Sequence, residues 1–158
     1  MKLSVNVVFK ADPGPAVKRG RALLARAVRK ALPRARGEVN LVFVGGPEII
    51  RLNQSFIGKS HRTDVIAFNY PSCRNNEPPA YQVQGAMPPC PAPGAPFGDI
   101  FVCLPQARLQ ARELGHPLKR ELLLLTLHGA LHLAGMDDDT AARRSAMHRR
   151  AEKMAAGL

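Results

Sequence analysis

Two histidines offer the most specific chemistry in this sequence. His128 and His132 stand four residues apart in the stretch His128-Gly129-Ala130-Leu131-His132-Leu133-Ala134-Gly135-Met136-Asp137-Asp138. On a helix that spacing sets them about 40° apart around the axis, so both rings leave one face. Gly135 follows three residues after His132 and suits a helix terminator. The chain can then turn back and offer Asp137, Asp138 or Asp139. Two helical histidines and a third ligand after a glycine turn have the shape of an open zinc site, with one position left for water. Asp138, six residues beyond His132 and past the turn, is the expected third ligand, and Asp137 the alternative. The competing reading is a pair of core histidines bonded to carbonyls. Both rings lie in an otherwise apolar run, however, and buried imidazoles need partners, of which a metal is an efficient one.

Water on a zinc ion ionises near neutral pH and becomes a nucleophile. Peptide hydrolysis of the H-E-x-x-H type also needs a glutamate directly after the first histidine. Gly129 occupies that position. The pattern therefore favours a metal-dependent hydrolase of another kind.

The elements that must position these residues can be read from periodicity. Leu3–Phe9, Glu38–Val44, Asp64–Asn69 and Gly98–Leu104 read as four strands. Asp12-Pro13 resembles a helix cap, and a helix is expected from about Pro15 to Leu32. Its apolar side is Val17, Leu24, Ala27, Val28 and Ala31, opposite a stripe of Lys18, Arg19, Arg26, Arg29 and Lys30. Pro47 starts a short helix to Phe56, and Pro105 opens another that Gly115 closes. The histidine helix runs from about Leu118 to Ala134 and is apolar almost all round. Asp139 or Thr140 caps a last helix to about Ala155. Residues 70–97 hold eight of the fourteen prolines and read as a long irregular loop. The expectation is one α/β (α+β) domain over residues 1–158, zincin-like, with a four-stranded mixed sheet and about five helices.

Charge narrows the partner. The formal net charge is +11, unevenly spread. Residues 1–60 carry twelve basic and three acidic side chains, residues 61–139 six and eight, residues 140–158 five and one. Basic ends favour a polyanion, with nucleic acid first. Aromatic content is only 5%, so base stacking is not an obvious theme. Cys73, Cys90 and Cys103 show no C-x-x-C spacing, which suits a reducing cytoplasm rather than a disulfide framework. No signal peptide is visible, and the longest apolar run is too short and too polar to span a membrane.

The stretch from His128 to Asp138 resembles the H-G-x-L-H-L-x-G-Y-D-H motif of the YbeY family of bacterial endoribonucleases. Leu52-Asn53, Gly58-Lys59 and Thr63-Asp64-Val65-Ile66-Ala67-Phe68 resemble that family's L-N, G-K and T-D-V-L-S-F segments. Gly98-Asp99-Ile100 resembles its G-D-I strand, and Gln110-Ala111, Gly115-His116 and Arg120-Glu121 resemble its Q-A, G-H-S and R-E segments. Met147 and Glu152 fall where its last helix carries Met and Glu. The likeness thus runs in order from the second strand to the C-terminus.

The resemblance implies single-strand-specific cleavage of RNA with one zinc ion on His128, His132 and Asp138. It also implies a role in ribosomal RNA maturation and ribosome quality control, with the small ribosomal subunit as partner. His128 and Lys59 would serve catalysis, Lys59 as a phosphate contact. His116 would lie near the site, although its place before Pro117 also suits a helix junction. Two positions depart from the pattern. Asp138 stands where the family has histidine, and Ile57 where it has an arginine placed for RNA. Arg62, in the same loop, is the expected substitute for that arginine. A ribosome- or RNA-binding factor with a mainly structural zinc is the alternative function.

Overall fold

Successive side chains of a strand point to opposite faces, so the continuous apolar runs Leu41–Val44 and Ile100–Cys103 can bury both faces of a sheet. The computed structural model describes residues 2–58, 62–69 and 96–158. Strands β1 (Ser4–Phe9), β2 (Glu38–Val44), β3 (Val65–Asn69) and β4 (Pro96–Cys103) form one mixed sheet in the order β1-β2-β4-β3. β1, β2 and β4 are parallel, and β3 is the antiparallel edge. Val39, Leu41, Phe43, Ile100 and Val102 point into the larger core. Val42, Val44, Ile66 and Cys103 point the other way, into a smaller one.

Among the described residues six helices pack around the sheet, one more than expected. They are α1 (Pro15–Arg19), α2 (Arg21–Ala31), α3 (Gly46–Ile57), α4 (Leu104–Leu114), α5 (Leu118–Leu133) and α6 (Ala141–Ala156). The extra one arises because the expected helix from Pro15 breaks at Gly20, the cap shared by α1 and α2. Glycine is a poor interior helix residue. A Cβ there would sit 3.2 Å from Lys119 Cε, near the end of a flexible side chain that can give way. Asp12 does not cap the helix directly. Its carboxylate accepts from Gly14 N at 2.9 Å and pairs with Lys18, while Pro15 occupies the first turn. Thr140 caps α6 as expected, accepting from Arg143 N at 3.2 Å. β4 begins at Pro96, two residues before the expected start. Of the Pro-rich stretch, residues 70–95 lie outside the described residues. No helix among the described residues is long and apolar enough to cross a membrane.

The larger core is built on α5, which packs between the sheet and helices α2, α4 and α6. Leu122, Leu124, Leu125, Leu127, Ala130, Leu131 and Leu133 are all buried. Gly129 is the point of closest approach. A Cβ on it would lie 2.6 Å from Ile100 Cγ2 and 3.1 Å from Val65 Cγ2. Both neighbours are stiff β-branched side chains of the sheet. Position 129, where a peptidase would carry its glutamate, has no room for any side chain. We expect Gly129→Ala to destabilise the protein by about 1–2 kcal/mol, overpacking outweighing the better helix propensity of alanine. Denaturant unfolding measures it, and an unchanged or raised midpoint would show that the sheet yields at this point.

Candidate metal centre

The centre begins with the way the chain leaves α5. Gly135 takes φ +91°, a left-handed conformation that favours glycine. Its N–H donates to His132 O at 2.9 Å, and Met136 N–H donates to Leu131 O at 3.0 Å. This pair of bonds is the Schellman motif, which satisfies the last carbonyls of the helix and turns the chain back. The turn has two consequences. Met136 O arrives 3.1 Å from His132 Nδ1, and Asp138 arrives over the two rings.

Three donor atoms converge there. His128 Nε2 and His132 Nε2 are 3.0 Å apart. Asp138 Oδ2 is 3.3 Å from the first and 3.6 Å from the second. Donor atoms around tetrahedral zinc, at about 2.0–2.2 Å from the ion, lie roughly 3.3 Å from one another, so this spacing fits such an ion. The hydrogen bonding fits too. If His132 Nδ1–H donates to Met136 O, its Nε2 presents a lone pair toward His128 and Asp138. These three residues form a group able to hold a metal ion. Their side chains keep 25%, 27% and 33% of their surface, which leaves the centre open on one side.

Burial and the neighbouring His132 hold the His128 imidazole below its ordinary pKa, while Asp138 and Asp64 pull the other way. The lowered value keeps the ring neutral at pH 7, the form that ligates. Asp64 is an electrostatic neighbour that the sequence did not single out as part of the site. It is brought there by Val65, which packs at Gly129. Its carboxylate is fixed by Val65 N at 2.8 Å and by Gln110 Nε2 at 3.1 Å. The available clues were its place at the start of an apolar strand and the likeness of Thr63-Asp64-Val65 to the family's T-D-V segment.

With this geometry established, comparison with known proteins gives a consistent result. The family model described as Endoribonuclease YbeY matches residues 16–158. The chain belongs to the YbeY endoribonuclease family. An Endoribonuclease YbeY from Elusimicrobium minutum is 41% identical over 146 residues, covering 90% of this chain and 91% of that one. The Endoribonuclease YbeY of Moorella thermoacetica is 39% identical over 121 residues, covering 77% and 72%. A Thermotoga maritima protein solved in solution shares the fold, with a TM-score of 0.55 at 23% identity over 97% of this chain and 89% of that one.

Among the described residues, the other expected site residues do not join the donor group. Lys59 and His61 lie outside the described residues. Arg62 lies in the segment leading to Asp64, but its Nε donates to Gln106 Oε1 at 3.2 Å rather than joining the two histidines. Asp137 is not in the donor group; its Oδ1 accepts from Asp138 N at 2.8 Å and so helps hold the ligand's backbone. His116 is twelve residues before His128, about 18 Å along the helical rise. Its Nε2 lies 2.6 Å from Glu121 Oε2, off the alignment of a hydrogen bond. Neither atom has another partner among the described residues, so this contact joins the start of α5 to the preceding turn.

Two outcomes follow from the geometry. Gly135→Ala adds a Cβ that meets nothing within 4 Å, so its cost is purely conformational. We expect about 1–2 kcal/mol of destabilisation together with weaker zinc binding. Unfolding and chelator competition measure the two, and unchanged zinc affinity would uncouple the turn from the site. Asp138→Ala should weaken zinc by more than the roughly 10–100-fold that outer-sphere partners cost, whereas Asp138→His should retain it. Wild-type affinity in Asp138→Ala would remove this residue from the ligand set.

Proposed function

We propose that this protein is a zinc-dependent endoribonuclease of one domain that cleaves single-stranded RNA in the cytoplasm, within ribosomal RNA maturation and ribosome quality control. The observation that carries this reading is the convergence of His128, His132 and Asp138, in a chain of the YbeY endoribonuclease family. The net charge of +11 supports a polyanionic substrate. The three cysteines, Cys73, Cys90 and Cys103, without a C-x-x-C spacing support a reducing compartment.

What a bound zinc ion supplies is Lewis acidity toward a phosphoryl oxygen and a more acidic water. The chain supplies the rest. Met136 O orients the His132 ring, and the low pKa of His128 keeps it neutral. The open side of the centre admits a strand. Gly129 closes the place of a peptidase base, which leaves phosphodiester chemistry favoured by charge. Arg62 is the cation best placed in sequence to offset charge developing on a phosphate. Its bond to Gln106 uses Nε alone, so both terminal amino groups stay without a hydrogen bond among the described residues. Lys59 would act beside it.

Cleavage of a single-stranded RNA should disappear on chelation and return with zinc, and His128→Ala should be inactive. Arg62→Ala should lower kcat/KM roughly 10–100-fold with zinc content unchanged. Cleavage that survives His128→Ala would sink the reading. Stoichiometric zinc without cleavage would favour an RNA-binding factor with a structural ion.

A further inference from the structure

Eight cations collect around α2 and the C-terminal half of α6. Lys30, Arg149, Arg150 and Lys153 line a groove of about 540 Å³. Lys2, Arg29, Arg34 and Arg36 line a second, of about 500 Å³, where the chain passes from α2 toward β2. Both grooves draw on the last turn of α2, through its consecutive residues Arg29 and Lys30. All eight side chains are exposed, and none forms an ion pair among the described residues. Lys30 Nζ donates to Gly157 O at 2.9 Å and to Met154 O at 3.2 Å, which ties α2 to the end of α6. Arg29 Nε donates to Leu3 O at 3.3 Å.

Helix dipoles account for some of these charges. Arg29, Lys30 and Lys153 lie in last turns, where cations are favoured. Lys2, Arg34, Arg36, Arg149 and Arg150 have no such role. Like charges gathered without counter-charge repel one another, and a polyanion relieves that repulsion. A protein partner would want an apolar centre to its interface. The exposed large apolar residues are Val8, Phe56, Ile57 and Leu114, and none of them lines either groove.

We propose that this α2/α6 face is a second RNA-contact surface. It holds the phosphate backbone of a long RNA while another part of the strand lies at the metal centre. α6 links the two places: its cap, Thr140, is two residues from Asp138, and Lys153 lies in its last turn. A helix of 16 residues spans about 24 Å, so one strand must extend over roughly that distance to reach both. Contacts of this kind position RNA without reading its sequence. The surface deepens the endoribonuclease reading and takes RNA as its ligand from it.

The test compares binding of a single-stranded RNA of about 40 nucleotides by wild type, R34A/R36A/R149A/R150A and the matching four-lysine variant across a salt series. Zinc content and thermal unfolding confirm that each variant is intact, and wild-type cleavage is followed in parallel. The alanine variant should bind roughly 10–100-fold more weakly, with a salt slope shallower by about 3, and the lysine variant should bind as wild type does. An alanine variant with wild-type affinity and slope overturns the proposal. The same result with lost binding to polyglutamate overturns it in favour of an acidic protein surface. Wild type that binds long RNA through this face but cleaves none leaves the surface standing and removes the endoribonuclease reading.

Discussion

The left-handed turn at Gly135 is the constraint on which the candidate centre depends. Two of the candidate donors, His128 and His132, belong to α5 and the third, Asp138, to the segment after it, so their meeting is decided by how the helix ends. The turn also brings Met136 O to His132. One local conformation therefore sets both a ligand and an outer partner of another. Asp138 is held from ahead as well, because Arg144 Nη1 donates to its carbonyl at 3.2 Å from the first turn of α6. Thr140 fixes where that helix starts.

The sheet holds α5 from the other side. Gly129 seats the helix on Ile100 and Val65 between the two histidines, and Asn69 Nδ2 donates to Leu133 O at 3.3 Å just after them. A helix apolar almost all round has few ways to face water, so the histidine pair opens on the side the sheet and the other helices leave free. The packing that positions the rings also determines which chemistry is absent. A glutamate at position 129 would have to displace two strands.

Much of this was legible because the patterns are local. Short apolar runs rich in β-branched residues located all four strands, and the Pro and Gly punctuation located most helix ends to within a residue or two. The His128–His132 face and the turn after it follow from helical geometry and one glycine, and the choice of Asp138 over Asp137 matches the donor group. What was not legible depends on contacts distant in sequence. The break at Gly20 follows from a single glycine inside an otherwise continuous apolar period, which the periodicity alone runs through. Asp64 gained its place beside His128 through the Val65–Gly129 contact. Arg62 reads as a loop cation, yet Gln106 on α4 takes its Nε.

Asp138 changes what the rest of the surface must do. Zinc on two neutral imidazoles and one carboxylate has a single net positive charge, against two for three imidazoles, and attracts a phosphate less strongly. The local acids do not all add to that loss. Arg143 lies 2.8 Å from Asp139 and 4.0 Å from Asp137, which leaves Asp138 as the one of the three facing the rings. Even so, the stretch from residue 61 to residue 139 has more acid than base, while both ends are strongly basic. In such a chain the centre has little electrostatic hold on RNA of its own. Cations outside it would then supply the hold, and among the described residues those lining the two grooves at α2 and α6 form no ion pair.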